Sequence, residues 1–259
     1  MTDLSASAFT IARDPTSSAL RVGDVFSRSQ KMFAAHWLAY CGMMALGYAP
    51  IAILTGGLAA KIIPEMEGHT MAGALAVFVV IAALASCVLL ASAAISFGVA
   101  QDISGRGFSF GPSLRIALRR SPAILALTLL IVLYGLFALA LLIVPGLIVF
   151  TIYSVAIPAC MIEGVGPLKS MSRSAFLTKG NRGRVFEILF ALYFGGAMVE
   201  QLVNFILERL TSDIAALAIS LTFDIVVGAF TAVALGALYA QLRVAREGVD
   251  IAHIAAVFD

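Results

Sequence analysis

The chain has 259 residues, of which 61% are hydrophobic and 12% charged, and its mean hydropathy is +1.01. Ordinary soluble domains are about 45–50% apolar and about 25% charged, so this chain has too few polar groups to cover a water-exposed globule. That all but excludes a soluble enzyme. High hydrophobicity with a net charge of only +2 also excludes a disordered chain. The composition points to an all-α integral membrane protein, because six helical spans of roughly 20 residues need only about 120 residues.

Residues 1–19 read as a loose tail rich in Ser and Thr, and residues 20–241 as one polytopic membrane domain. The domain opens with an amphipathic surface helix over 22–36, with Asp24 as its expected N-cap. Val25, Phe26, Met32 and Phe33 fall on one face, with Arg28, Lys31 and His36 elsewhere. The first span is expected at about 37–60, with Trp37 and Tyr40 at the interface and a kink at Pro50. A polar loop from Lys61 to Met71 leads to the second span, about 72–100. Gly105, Gly107, Gly111 and Pro112 then break structure, and Ser113–Arg120 reads as a basic amphipathic segment. Residues 123–162 are almost uninterruptedly apolar. One helix of that length would reach about 60 Å, twice the hydrocarbon thickness. A hairpin is therefore expected, with spans at about 123–143 and 147–162, a turn at Pro145-Gly146 and a bend at Pro158. A third basic segment covers 163–184, in which Gly180 and Asn181 are expected to end a surface helix in left-handed conformation. The last two spans are expected at about 185–207 and 213–240, followed by a tail over 242–259 that includes a short apolar pattern from Val249 to Phe258.

The basic residues sort to one side of this layout. Fifteen of the 17 Lys and Arg flank one face, and only Lys61 and Arg209 fall on the other. By the positive-inside rule both termini are expected in the cytoplasm of a bacterium, with the spans in the inner membrane. Each pair of spans follows a basic surface segment. Phe26-Ser27-Arg28-Ser29 is similar to Met171-Ser172-Arg173-Ser174, and Gly111-Pro112 to Gly166-Pro167. Three units of surface helix plus hairpin are one reading of this pattern, and chance similarity is the other.

The stretch 141–194 carries the most specific pattern. Pro145-Gly146 is followed by Pro158, by Glu163-Gly164-Val165-Gly166-Pro167, and by Ser170, Arg173-Ser174 and Leu177-Thr178-Lys179-Gly180-Asn181-Arg182-Gly183-Arg184-Val185-Phe186. This order resembles the glycerophosphoryl diester phosphodiesterase membrane domain family. Val22-Gly23-Asp24-Val25 and Leu242-Arg243-Val244-Ala245-Arg246-Glu247-Gly248 look like its beginning and end, while Gly183 stands where members often carry an aromatic residue. The resemblance implies a membrane module that in some members precedes a catalytic domain. Here 19 residues follow the last expected span, so a stand-alone module without that domain is expected.

Polar groups inside spans are costly and mark candidate sites. These are Glu187, Glu200 and Asn204 in the fifth span and Asp224 in the sixth. Glu187 is close enough to the span's start to reach the interface beside Arg184. Asp224 has the choice of bonding Asn204 or Glu200, as helix–helix glue or as a proton- or substrate-handling site. Candidate headgroup or anion ligands are Arg115, Arg119, Arg120, Lys169, Arg173, Lys179, Arg182 and Arg184, with positive-inside sorting as the competing explanation. Cys41, Cys87 and Cys160 lie in apolar stretches and read as packing residues. His36, His69 and His253 have no partners at ligand spacing. Glu65, Glu67 and His69 read as a solvated loop, so no metal or cofactor is expected. No phosphate-binding or nucleophile-elbow motif occurs, and no catalytic residues are expected. Two functions remain. One is a non-catalytic lipid- or partner-binding module or scaffold, with anionic lipids, a membrane protein or a second copy as partner and no nucleic acid. The other is a small transporter or lipid-handling channel that uses the intramembrane acids.

Overall fold

A computed structural model describes residues 20–54, 71–210 and 212–248. The expected N-terminal tail, the loop holding Glu65, Glu67 and His69, the end of the first expected span and the apolar pattern after Val249 lie outside the described residues. The regular structure among the described residues is all helical, without a strand. The helices are α1 (Val22–Ile53), α2 (Met71–Ile103), α3 (Phe110–Arg119), α4 (Ser121–Leu141), α5 (Ile143–Tyr153), α6 (Ala156–Glu163), α7 (Pro167–Thr178), α8 (Arg182–Leu210) and α9 (Asp213–Glu247).

Five stretches among the described residues are long and apolar enough to cross a membrane: Val79–Ile103, Ser121–Ala140, Ile143–Glu163, Arg182–Leu207 and Ala215–Glu247. Large apolar side chains on α4 and α8 stay exposed, including Leu133, Phe137, Phe190 and Phe194. A chain that leaves such a belt uncovered, while satisfying its backbone within helices, is built for hydrocarbon rather than water.

α1 joins the expected surface helix and first span in one element. Helical geometry fails inside it at His36 (φ −134°, ψ 30°), whereas Pro50 sits within helix. The break in helical dihedrals therefore lies at the polar boundary, while the helix runs on through Pro50. Asp24 is not the N-cap either. Arg21 holds that position, and Asp24 lies in the first turn, where its charge meets the positive end of the helix dipole.

The apolar hairpin forms, but its turn falls earlier than expected. The chain breaks at Leu142 (φ −168°, ψ 153°), and Pro145-Gly146 belongs to the first turn of α5. A proline ring collides with the carbonyl four residues back, here Leu141, and its missing N–H costs nothing in a first turn. Pro158 acts in the same way. Its ring opposes the carbonyl of Ser154, and the helix breaks at Ser154–Val155, so α6 starts at Ala156. At the other end of the chain, α9 continues as helix to Glu247 and ends on left-handed Gly248, so the first residues of the expected C-terminal tail are helical.

Close backbone approaches hold the bundle. A Cβ on Gly47 of α1 would lie 2.7 Å from Ala91 Cβ of α2, and one on Gly236 of α9 would lie 3.0 Å from Val99 of α2. Small residues at such crossings are the usual way helices associate in lipid, where burial adds no hydrophobic drive. α6 is central. Met161 joins the core of α1, α2 and α9, Val155 and Ala159 join that of α1, α8 and α9, and Ala156 and Cys160 join that of α4 and α7.

Gly47→Val should weaken the α1–α2 crossing by about 1–3 kcal/mol. The check is the thermal unfolding midpoint in mild detergent, which should fall clearly for Gly47→Val and little for Gly42→Ala, whose added Cβ meets nothing closer than 3.9 Å.

Candidate functional site

The neighbouring C-terminal ends of α2, α3, α6 and α9 line a cavity of about 710 Å³. Its floor, meaning the apolar part of its lining, comes from Phe97 and Ile103 of α2, Ile116 of α3, and Met161 and Ile162 of α6. Its wall is cationic, with Arg106 before α3, Arg119 and Arg120 at the α3–α4 junction and Arg243 of α9. Glu163 is the carboxylate among the lining residues.

Local structure fixes these positions. Gln101 Oε1 accepts hydrogen bonds from Ser109 Oγ (2.8 Å) and Ser113 Oγ (3.3 Å), and so draws α3 onto the end of α2. α3 turns Ser113 and Ala117 inward and leaves Arg115 and Arg119 exposed. Arg120 donates through Nη1 to the Cys160 carbonyl at 3.0 Å. Its guanidinium lies over Gly164, where an added Cβ would come within 2.5 Å of Nη2. Gly164 also ends α6 in left-handed conformation (φ 72°), so two independent requirements select glycine there.

Behind the cavity an ionic clasp ties α6, α7 and α9. Arg173 Nε donates to Glu163 Oε1 at 2.6 Å, and Arg173 Nη1 pairs with Glu247 Oε1. Arg243 Nε pairs with Glu247 Oε2 at 3.0 Å, and the Tyr239 hydroxyl donates to Glu163 Oε1 at 2.6 Å. The hydrogen bond to Glu247, then that to Glu163, holds Arg173 more firmly protonated than a free arginine, despite partial burial. α7 is anchored beside the clasp. Ser174 Oγ donates to the Ile152 carbonyl at 2.7 Å, and Thr178 Oγ1 donates to the Ser174 carbonyl at 2.9 Å. Gly180 (φ 89°) then turns the chain into α8 in the left-handed conformation expected of it.

Of the anion candidates named from sequence, Arg119 and Arg120 reach the cavity. Arg173 does not, because it is committed to two carboxylates. Arg115, Lys169, Lys179, Arg182 and Arg184 are exposed outside the lining. Arg106, Glu163, Tyr239 and Arg243 were missed as site residues. The available signals were Glu163 as a lone acid in a basic segment, and the Arg243–Glu247 spacing of four that pairs charges on a helix.

The intramembrane candidates are arranged differently from the expected cluster. Asn204 Oδ1 accepts from Ser220 Oγ at 2.7 Å, so Asn204 is bonded across α8 and α9 by a serine and not by Asp224. Asp224 is half-buried, Glu200 is exposed, and both lie within electrostatic reach of Tyr48. Glu187 is exposed near the start of α8. At the kink of α1, His36 Nε2 lies 3.3 Å from Asp102 Oδ1. Among the described residues, no group of three or more His, Cys, Asp or Glu is placed to hold a metal ion.

No protein-family model matches the chain, and comparisons with curated proteins and with solved structures return no significant match.

A double-mutant cycle on Glu247→Gln and Arg173→Gln should return a coupling of about 1 kcal/mol or more, because each single change strands a partly buried charge. The measurement is unfolding in detergent. Strictly additive losses would mean that the clasp does not act as a unit.

Proposed function

We propose that this protein is a non-catalytic membrane module that holds the headgroup of an anionic amphiphile in the arginine-walled cavity. The observation that carries the reading is the combination of an apolar floor with Arg119, Arg120 and Arg243 at one end of a bundle of membrane-length helices. An aliphatic chain suits the floor and an anionic head suits the wall. Cations at a membrane surface are each worth about 1 kcal/mol toward anionic lipid.

Around this site we infer six spans, with the residues of α1 beyond His36 beginning the first. Both termini lie in the cytoplasm, the spans in a bacterial inner membrane, and the surface segments before the hairpins are amphipathic. The sorting of 15 of the 17 Lys and Arg to one side of the expected span layout supports that orientation. The resemblance of residues 141–194 to the glycerophosphoryl diester phosphodiesterase membrane domain supports a membrane module of that family. Bound membrane lipid is the primary partner, and a membrane-protein partner or a second copy is compatible with the exposed faces. The alternative, a small transporter or channel, rests on Asp224 of α9 and Glu200 of α8, which lie within electrostatic reach of each other and of Tyr48.

Lipid retained by the protein after mild detergent purification separates these readings. Arg119→Glu should lower the retained anionic lipid several-fold, whereas Lys169→Glu, outside the cavity, and Asp224→Asn should leave it unchanged. Loss of retention only in Asp224→Asn would favour the transporter.

A further inference from the structure

We propose that the cavity's ligand is an amphiphile ending in a phosphate monoester, whose head lies between the guanidinium groups of Arg119 and Arg120. This rests on the headgroup-binding reading and narrows it. Charge matching singles out these two arginines, since Arg106 is engaged in an interaction of its own. Arg243 reaches the cavity already paired with Glu247, and Glu163 is already paired with Arg173. Arg120 is fixed by a neutral partner, the Cys160 carbonyl, which orients the guanidinium without cancelling its charge. Arg119 is the last residue of α3 and is exposed beside it. Neither has a carboxylate partner among the described residues. Glu163, which could repel an anion, has its Oε1 occupied by both Arg173 and the Tyr239 hydroxyl.

Two unmatched guanidinium groups suit a head that carries two charges. A phosphate monoester bears about −1.5 to −2 at pH 7 and offers three acceptor oxygens. Arginine's planar fork engages such oxygens in pairs. A phosphodiester brings one charge and two free oxygens, and leaves one arginine unmatched. The apolar floor beneath, formed by Phe97, Ile103 and Met161, suits a chain rather than a sugar or a base.

Protonation of the head gives a signature. A phosphate monoester has its second pKa near about 6, so it falls to a single charge below that pH, while a phosphodiester does not change. The charged or titratable groups facing the site are Arg106, Arg119, Arg120, Glu163, Tyr239 and Arg243, with no histidine among them. His36 pairs with Asp102, and neither residue lines the cavity.

The test is a lipid titration of the full chain in detergent, read by native mass spectrometry, with phosphatidic acid, phosphatidylglycerol and phosphatidylcholine of matched chains. At about pH 7.5 phosphatidic acid should bind about tenfold tighter than phosphatidylglycerol, and the ratio should shrink to about twofold at about pH 5 as the second charge is lost. The same trend should persist in His36→Gln. Arg119→Gln should abolish the preference, and so should Arg120→Gln, while Arg115→Gln should keep it. Circular dichroism checks that each variant is folded. Phosphatidylglycerol binding as tightly as phosphatidic acid at every pH would overturn this inference and leave the headgroup reading standing. No preference of either lipid over phosphatidylcholine would overturn both. Glycerol 3-phosphate binding as tightly as phosphatidic acid would overturn the amphiphile and point to a soluble phosphate ester.

Discussion

The pairing of Arg173 with Glu163 and Glu247 is the interaction on which the basic end of the molecule depends. One guanidinium spans the end of α6 and the end of α9 from its place on α7, and Tyr239 and Arg243 complete the ring from α9. Groups of this kind are costly to bury alone and persist when mutually satisfied. The consequence is geometric. With both carboxylates occupied, Glu163 and Arg243 are fixed as parts of the cavity wall, and neither acid of the clasp is left over to cancel Arg119 or Arg120.

The short helix α6 makes that clasp possible. It exists as a separate element because Pro158 forbids continuity with α5. Its eight residues reach three packed clusters that a straight continuation of α5 would not reach together. Hydroxyls of α7 serve the backbone next to the break, since Ser174 donates to the Ile152 carbonyl. Gly164 then closes the helix and seats Arg120. The run from Pro158 to Gly180 is thus a set of physical requirements in order: a break, a clasp acid, a left-handed glycine, a helix that buries the hydroxyls of Ser170, Ser174 and Thr178, and a second left-handed glycine.

Much of the fold was legible in the chain because hydropathy and length are averages over many residues. The helical spans after the first loop and the apolar hairpin follow from such signals, and the left-handed Gly180 from glycine's local preference. The exact breaks did not follow, because a proline marks a break three or four residues away from itself, and the sequence does not say whether it starts a helix or turns a chain. Leu142 and Ser154–Val155 are both displaced in this way. The kink at His36 falls at the boundary expected between the surface helix and the first span, beside Asp102 of α2, although no proline or glycine marks it. The site was legible only as basicity. Exposed cations and cavity cations look alike in a sequence. What separates Arg120 from Arg115 is a carbonyl on α6 and a glycine after it, brought together by folding.

The central claim is that an anionic head occupies the space between Arg119 and Arg120 above the apolar floor. An experimental density map of the full protein, purified without delipidation, tests it most directly. The account predicts tetrahedral density bridged by the two guanidinium groups, continuous with a chain that passes Phe97 and Met161. A closed cavity with both arginines turned to solvent and no density over the floor would contradict it.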